Sequence, residues 1–264
     1  MKEDLAAQAR YYELGETYFW LASHNDLAIR ALSPHLLQLR LAQPGRPLRL
    51  LDLGCGPGNT LKRLEAWGIT YGFDYSVAAL AFARGKGVRR VVSGDSAHLP
   101  FRTGEIDCLV ALEVFEHFAD DRLVLVEAFR ILRPGGLLLL TVPAFQLLWR
   151  THDEMYGHHR RYTRKEVVDR VTGSGFTLVD CEFIKCAFFF PLLGLALVDR
   201  ATRGWRRRDD DFFQVPGWLN TLLRLAIVWE SRLRINRHLP FGASILCIGQ
   251  KPRRANPCGS SSTH

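Results

Sequence analysis

The stretch "LDLGCGPGNT", residues 51–60, places glycines at 54, 56 and 58, with Pro57 in the bend and Asp52 just ahead of them. An apolar run at 48–51 precedes it, and apolar residues at helical spacing follow it, at 61, 64 and 67. This order predicts a strand, a tight glycine turn and a helix. Because glycine has no β-carbon, such a turn lets the backbone approach a ligand and points helix amides at it. The stretch therefore predicts a ligand-binding βα unit.

The same alternation continues along the chain. Apolar runs predict further strands at 69–73, 90–92, 106–112, 137–142, 176–184 and 243–250, and helical patterns lie at 77–84, 121–132 and 165–171. The sequence RPGG at 133–136 is expected to be a stop. Continuous apolar runs are typical of strands buried on both faces. Strands separated by helices indicate an α/β fold with a doubly wound, mostly parallel sheet and helices on both faces.

The predicted ligand site lies at the carboxyl ends of these strands, where doubly wound sheets bind their ligands. Besides the glycine turn, those ends carry Asp74, Asp95 and Glu113. Asp74 stands 20 residues after Gly54, where such folds place a ribose-binding acid. The turn has Asn59 where a dinucleotide turn would have another glycine, and the sequence contains no phosphate-binding GxxxxGK[ST]. These features predict a nucleoside ligand without a pyrophosphate.

Five motifs in order carry a family resemblance: "LLDLGCGPG", "GFDYS", "SGDSAHLPF", "IDCLVALEVFEH" and "ILRPGGLLLLTVP". Over residues 48–145 the chain resembles the class I S-adenosylmethionine-dependent methyltransferases. The resemblance implies a Rossmann-like sheet of seven strands with an antiparallel last strand. It also implies S-adenosylmethionine as methyl donor, with S-adenosylhomocysteine as product.

A finer resemblance covers other parts of the chain. The segments "YFW", "VPAFQLLWRTHDEMYGHHRRYTRKEV" and "LPFGASIL" resemble a poorly characterised bacterial branch of these enzymes, the type 11/12-like methyltransferases. Members of that branch often lie near cell-envelope and polyprenyl-glycan chemistry. The resemblance therefore bears on the substrate only weakly.

The class resemblance also implies which residues meet the donor. Asp74 would hold both ribose hydroxyls, and Asp95 would accept from the adenine amino group. Tyr75 and Ala97 would flank the adenine ring, and Leu112 would lie near the sulfonium. The glycine turn would lie alongside the methionine moiety. The complete predicted donor site is Asp52, Gly54, Cys55, Gly56, Gly58, Asp74, Tyr75, Asp95, Ser96, Ala97, Leu112 and Glu113.

Composition limits the classes of function. The chain has 264 residues, 47% of them apolar, which supports a sizeable core and excludes general disorder. A formal charge of +8 permits polyanions or anionic membrane surfaces as partners without choosing between them. Six scattered cysteines without a CxxC pair are typical of reduced thiols, so we expect a cytoplasmic protein without disulfides or a zinc knuckle. The charged start predicts no secretion signal, and the most apolar stretch, 187–198, is too short to cross a bilayer.

An insertion interrupts the alternation between the last two predicted strands. Residues 186–241 contain two apolar, helix-compatible blocks, at 186–201 and 218–235, and exceed ordinary loop length. We therefore divide the chain into an N-terminal helical lid (1–47), a donor-binding core (48–185), the helical insertion (186–241), the last core strand (242–252) and a flexible tail (253–264). Aromatic residues of the lid are expected to close over the donor or to pack against the sheet edge: Tyr11, Tyr18, Phe19 and Trp20.

Histidines are the candidates for proton transfer. Methyl transfer from a sulfonium is a direct displacement, so holding the acceptor in line and excluding water supply much of the catalysis. A general base is needed only when the acceptor carries a proton, as a hydroxyl does. His117 follows the strand at 106–112, and His152 and His158 follow the strand at 137–142. Because both places are strand carboxyl ends, we expect these side chains to converge over the donor methyl group.

The segment "HDEMYGHHRRYT", residues 152–163, is expected to be a polar loop. Loop histidines are usually solvated, but a loop at the active face is where substrate groups are met. Two interpretations stay open for Arg161. It pairs with an anionic group of the substrate, or it forms an ion pair with Asp153 or Glu154.

A metal is a further alternative. Glu113, Glu116 and His117 form an ExxEH pattern, which would suit a hard metal ion if another histidine joined it. The pattern resembles metal-dependent small-RNA 2′-O-methyltransferases and quinone-pathway O-methyltransferases, and His158 stands six residues before Arg164, as in the RNA enzymes. The chain lacks their Phe-Glu-Trp. In a metal-free interpretation, Glu116 and His117 cap a helix. A divalent metal is therefore not favoured, and metal ligands are left unassigned.

The insertion is the main indication of a partner. Arginines at 200, 203, 206, 207 and 208 flank Trp205 between its apolar blocks. Apolar helices beside such a cluster are typical of an interfacial membrane element, and they equally suit a homodimer interface, a lipid-like pocket or a structural cap. An interfacial element at residues 186–235 would leave apolar side chains exposed in the monomer. Nucleic acid is less favoured, because acidic residues 209–211 adjoin the cluster and no aromatic platform interleaves it.

The sequence therefore predicts an S-adenosylmethionine-dependent methyltransferase. Its acceptor would be an oxygen or nitrogen atom of a small-molecule or lipid- or glycan-linked substrate. Two alternatives are kept: a metal-dependent RNA 2′-O-methyltransferase and a non-catalytic nucleoside-binding module. We expect the protein in the cytoplasm, at the inner face of the membrane if the insertion contacts lipid.

Overall fold

A single sheet is the framework of the molecule. The computed structural model describes residues 17–202, 215–234 and 240–253. The sheet has seven strands: β1 (Leu48–Leu53), β2 (Gly68–Asp74), β3 (Val91–Ser93), β4 (Ile106–Leu112), β5 (Leu132–Pro143), β6 (Thr177–Ile184) and β7 (Ser244–Gln250). They lie in the order β3-β2-β1-β4-β5-β7-β6.

Helices cover both faces of this sheet. They are α1 (Phe19–Leu41), α2 (Asn59–Leu64), α3 (Val77–Gly85), α4 (Asp121–Ile131), α5 (Thr151–Met155), α6 (Arg164–Gly173), α7 (Phe189–Ala201) and α8 (Gly217–Arg234). Leu32 and Leu64 belong to the core on one face, and Leu125 and Val167 belong to the core on the other. The predicted fold class is confirmed: a Rossmann-like, seven-stranded, mostly parallel sheet with a helical insertion before its last strand.

The last strand lies between two strands that precede it in the chain. β7 is antiparallel to β5, where Cys247 pairs with Leu140, and antiparallel to β6, where it pairs with Cys181. Among the described strands, β6 is therefore at the edge of the sheet, with β7 as its single partner. The antiparallel last strand that the family resemblance implied is present.

Two local predictions need correction. Helix α4 ends at Ile131, just ahead of the stop expected at 133–136. That stop does not precede the strand, however, but lies inside β5, because the Gly135 amide donates to the Lys251 carbonyl at 2.8 Å and keeps the strand paired there. Gly135 has a φ of 81°, so the strand is irregular at this point but does not end. The polar loop expected at 152–163 begins with the short helix α5. The Arg150 amide donates to the Asp153 carboxylate at 2.8 Å, which stabilises the first turn of that helix.

Helix α1 lies between the sheet and the insertion. The Phe19 amide donates to the Asn220 side chain at 2.8 Å, and Phe19 and Leu27 pack against Ile227 of α8. Tyr11, the arginines at 203 and 206–208, and residues 254–264 lie outside the described residues. The division into lid, core, insertion and tail stays a prediction.

The described cysteines are buried and free: Cys55, Cys108, Cys181, Cys186 and Cys247. Cys258 lies outside the described residues. Across residues 17–202, 215–234 and 240–253, no helix combines the length and the apolar character needed to traverse a bilayer.

Candidate functional site

The glycine turn between β1 and α2 offers an open backbone surface. Gly54, Gly56 and Gly58 have φ of 70°, 50° and 81°, in the left-handed region that favours glycine. The amides of Gly54 and Cys55 donate to the Phe73 carbonyl at 2.7 and 3.1 Å, which ties the turn to β2. A β-carbon on Gly56 would meet no atom within 4 Å, so this side of the turn is free for a ligand.

Two buried carboxylates lie beside the turn. Asp74 accepts hydrogen bonds from the amides of Gly56 and Ser76, both at 2.8 Å. Burial raises the pKa of Asp74, and these hydrogen bonds act in the opposite direction. Burial, with the nearby charge of Asp74, also raises the pKa of Asp52, whose Oδ2 has no hydrogen-bond partner. The backbone therefore holds Asp74 at the end of β2, where a ribose hydroxyl was predicted to bind.

The predicted adenine contacts are open to solvent. Asp95 is exposed, and its carboxylate accepts from the Ala97 amide at 2.9 Å, a hydrogen bond that lowers its pKa. The Tyr75 side chain is 76% exposed, and Ser96 and Leu112 are half-buried. These positions share the carboxyl edge of β2, β3 and β4, and their contacts with the donor stay predictions.

Strained backbone marks the carboxyl ends of β4, β5 and β6. Among the described residues, three that are not glycine have left-handed φ: Glu113 (55°), Phe145 (54°) and Lys185 (56°). Each stands within two residues of the end of one of these strands. Such backbone costs about 1–3 kcal/mol per residue and tends to cluster at functional sites. This edge is therefore the candidate for the acceptor.

A cluster of buried polar side chains lies between this edge and α1. The Lys185 side chain is buried, and its Nζ lies 3.7 Å from the centre of the Trp20 ring. One turn along α1, His24 Nε2 lies 2.8 Å from Thr141 Oγ1 and 3.6 Å from Glu113 Oε1. Burial lowers the pKa of Lys185 to about 7, although nearby carboxylates act in the opposite direction. Burial, with the charge of Lys185, also lowers the pKa of His24.

The three predicted catalytic histidines come together. The rings of His117 and His158 are 4.7 Å apart between centroids, and the His152 ring is 6.5 Å from that of His158. The His159 amide donates to the Glu116 carbonyl at 2.7 Å, which joins the two chain segments. The His117 side chain is exposed at the surface and His152 is half-buried. Loss of hydration within the cluster lowers the pKa of both to about 4, so both are neutral at physiological pH.

Asp153 orients His158. Its Oδ1 lies 2.9 Å from His158 Nδ1, and Arg161 donates to both of its oxygens at 2.9 Å. Burial opposes ionisation, but these partners lower the pKa of Asp153 to about 2. Because an ionised carboxylate only accepts, Nδ1 carries the proton and Nε2 is the basic nitrogen. Of the two interpretations kept for Arg161, the ion pair with Asp153 is the one observed.

Three side chains in this cluster fit a divalent metal. Glu116, His117 and His158 each offer a ligand atom within 4.8 Å of the others. Glu116 is fully buried, neither of its carboxylate oxygens has a hydrogen-bond partner, and burial raises its pKa well above the ordinary value. One carboxylate and two imidazoles are ligands that first-row transition metals take. The helix-capping alternative is wrong, because Glu116 and His117 form a 3-10 turn and Asp120 caps α4.

Sequence analysis missed three residues of this edge. His24 gave no signal, because a single histidine in an amphipathic helix is ordinary. Lys185 is the one charged residue in the apolar run "FIKCAFFF", residues 183–190, and that isolation could have identified it. Glu230 of α8 accepts from the amides of Cys186 and Ala187 at 2.7 and 3.0 Å, a contact between segments far apart in sequence.

A glycine turn with a buried carboxylate at the strand ends of an α/β sheet is typical of nucleoside-binding proteins. Residues 51–140 match a protein family described as "Methyltransferase domain". This stretch is a methyltransferase domain of the class I S-adenosylmethionine-dependent type, whose donor is S-adenosylmethionine.

Two relatives show how much of the chain is matched by known proteins. An uncharacterized protein of a Streptomyces fradiae transposon is 35% identical over 156 residues, which are 56% of this chain and 44% of the relative. Malonyl-[acyl-carrier protein] O-methyltransferase 1 of Coxiella burnetii is 30% identical over 188 residues, 67% of this chain and 60% of the relative. The chain thus spans 44% and 60% of the lengths of these two relatives.

A solved structure shows the same fold. It is the methyltransferase partner in a complex with the Haloferax volcanii Trm112 methyltransferase activator. The TM-score is 0.59 at 21% identity, and the match covers 95% of this chain and 96% of the other.

Proposed function

We propose that this chain transfers a methyl group from S-adenosylmethionine to an oxygen or nitrogen atom of a small-molecule or lipid- or glycan-linked acceptor. The observation that carries the proposal is the orientation of His158 by Asp153 beside His117, at the strand ends assigned to the acceptor. S-adenosylmethionine, when bound, supplies a methyl group on a positively charged sulfur.

His158 is the general base in this proposal. Its Nδ1 proton is held by Asp153, so Nε2 is free to take the proton of an acceptor hydroxyl. The ionised Asp153 then stabilises the imidazolium that forms, as a carboxylate does behind other catalytic histidines. A positioned general base contributes about 10²–10⁴-fold to the rate. His117 and His152 stay neutral beside it and can hold the acceptor by hydrogen bonds.

An aromatic wall supports an acceptor with an apolar part. Phe145 stacks on Phe183 at 5.1 Å between ring centroids, and Phe189 lies 5.6 Å from Phe145 and 5.2 Å from Phe241. The wall begins at the left-handed Phe145, directly beside the candidate acceptor edge. The Coxiella burnetii relative is named for methylation of oxygen on malonyl-[acyl-carrier protein], which supports an oxygen acceptor.

Two alternatives differ in what they require of the same residues. A metal-dependent RNA 2′-O-methyltransferase would use Glu116, His117 and His158 as metal ligands. A non-catalytic nucleoside-binding module would need only the donor residues. We place the protein in the cytoplasm, with residues 186–235 in contact with the inner face of the membrane or with a second copy.

A labelled-methyl assay tests the acceptor class. Cell extract incubated with the protein and tritiated S-adenosylmethionine is separated into lipid, small-molecule and RNA fractions. We expect label in the lipid fraction or the small-molecule fraction. Label confined to the RNA fraction would overturn the proposal. His158→Gln should lower incorporation by about 10²–10⁴-fold. His159→Gln, a change at the exposed neighbouring histidine, is the matched control and should leave incorporation unchanged.

Calorimetry with S-adenosylhomocysteine separates donor binding from transfer. His158→Gln should bind it as the unchanged protein does, and Asp74→Ala should bind it at least about tenfold more weakly, the equivalent of one good hydrogen bond to a charged group. Binding without labelled product in any fraction would favour the nucleoside-binding module. Full transfer activity in His158→Gln would remove the general base from the proposal.

A further inference from the structure

Helix α8 is apolar on the side that faces away from the protein. Its inner side is fixed by Ile227, which packs against α1, and by the buried Glu230. The outer side carries Trp218, Leu222, Leu225 and Trp229, which are 70%, 55%, 54% and 64% exposed. These four residues, the α8 stripe, recur at intervals of four, three and four and so lie on one helical face. At 1.5 Å per residue, the stripe is roughly 16 Å long.

The stripe is too apolar to be ordinary surface. Single exposed apolar side chains are normal in soluble proteins, whereas a continuous row that includes two exposed tryptophans indicates a binding partner. Tryptophans are enriched where an apolar phase meets water, because the ring is apolar and its N–H can stay in a polar layer. Trp218 and Trp229 end the stripe on both sides. This arrangement is typical of a helix that lies flat in a membrane interface.

The charge beside the stripe is positive. Arg232 is exposed on α8 next to the stripe, whereas Arg224 lies on another side of the helix and pairs with Asp26 of α1 at 3.2 Å. The one described carboxylate of α8, Glu230, is buried against the start of α7. On α7, Asp199 is likewise buried and pairs with Arg150. Among the described side chains of α7 and α8, the exposed charged residues are therefore all arginines.

Helix α7 shows a similar exposed surface. Phe190, Leu197 and Val198 are exposed, and Arg200 is the exposed charged residue at the end of the helix. The two insertion helices thus present apolar side chains with arginines to the solvent. Anionic head groups complement this combination, because arginine binds phosphate bidentately while the apolar side chains enter the acyl boundary.

We propose that the α8 stripe docks this protein on the surface of a membrane that carries anionic lipid. A second copy fits the stripe less well, because among the described side chains of α7 and α8 an identical face offers no exposed carboxylate to pair with Arg232. The net charge of +8 strengthens attraction to an anionic surface. This proposal is independent of the acceptor, since it concerns a helix face and not the catalytic edge.

Vesicle flotation tests the proposal on the full chain. The protein should float with vesicles of mixed phosphatidylglycerol and phosphatidylcholine, and far less with phosphatidylcholine alone. The double variant Trp218→Ser with Trp229→Ser should bind the mixed vesicles at least about tenfold more weakly, the effect of removing one large apolar contact or more. The control is Leu123→Ser with Val126→Ser on α4, residues that are 57% and 59% exposed, and it should float like the unchanged protein.

A charge variant provides a second test of the same proposal. Arg232→Glu reverses an exposed charge beside the stripe and should weaken flotation with the anionic vesicles by about fivefold, as loss of one basic contact near the surface predicts. Equal flotation of the stripe variant and the control would overturn the proposal. A protein that ignores vesicles, but changes from dimer to monomer in the stripe variant, would assign the stripe to a second copy instead.

Discussion

The donor half of the site, at the ends of β1 to β3, and the acceptor half, at the ends of β4 to β6, are built differently. In the donor half, one glycine turn and backbone amides hold the buried Asp74, while Asp95 is open to water. In the acceptor half, ionisable side chains from distant segments meet in a buried cluster, among them Asp153 and Lys185. The donor half is held mainly by backbone hydrogen bonds, two of which end on Asp74. The acceptor half depends instead on contacts between charged side chains, which therefore contribute to stability as well as to chemistry.

The largest expected effect comes from removing the central charge of the acceptor half. Asp153→Asn leaves His158 and Arg161 without their carboxylate. Breaking a buried ion pair from one side costs about 3–5 kcal/mol, so we expect the free energy of unfolding in urea to fall by that amount at neutral pH. Asp169→Asn, which breaks an exposed pair with Lys165, should change it by about 1 kcal/mol or less. If both variants change the free energy of unfolding by the same small amount, the buried charge of Asp153 does not stabilise the acceptor half.

A smaller effect is expected where the two halves touch. A β-carbon on Gly54 would lie 2.5 Å from Val114 Cγ2, at a backbone φ of 70°. Overpacking costs about 1–3 kcal/mol, so Gly54→Ala should lower the free energy of unfolding by that amount. A second change, Val114→Ala, should restore part of it in a double-mutant cycle. Gly56→Ala, with open space around it, should cost about 1 kcal/mol from its backbone alone. If Val114→Ala restores none of the lost free energy of unfolding, contact with Val114 is not the cause of the destabilisation.

A third expected effect, of about the same size as the second, concerns pH. The pKa of Lys185 is about 7 in the folded protein, below its unfolded value of about 10.4, so between these values the unfolded chain binds more protons. The contribution of Lys185 to stability therefore rises with pH in that window. Relative to Lys185→Met, the unchanged protein should gain about 2 kcal/mol of unfolding free energy between about pH 7 and pH 9. Lys165→Met, at an exposed lysine, should show no such difference. If the free energy of unfolding depends on pH in the same way in the unchanged protein and in Lys185→Met, the pKa of Lys185 is not lowered in the folded protein.

The same contrast explains what could be predicted from the sequence. The donor half is local: the glycine turn and Asp74 lie on consecutive βα units, so spacing alone predicts that they meet. The acceptor half is assembled by packing. Whether Arg161 would reach Asp153 or a substrate depended on a short helix in a segment expected to be a loop. His24 and Lys185, from segments more than 150 residues apart, meet only because α1 lies over the end of β6.

The position of β6 has a consequence for how the chain is made. Its one partner among the described strands, β7, comes after the whole insertion, so the ribosome synthesises residues 185–243 before that partner exists. At about 5–20 residues per second, this interval lasts roughly 3 to 12 seconds. During that time β6 has no neighbouring strand to pair with, and β5 has only β4. Unpaired strand edges are the parts of a nascent chain most prone to wrong association. The order of the strands thus makes the emerging protein vulnerable for as long as its insertion takes to translate.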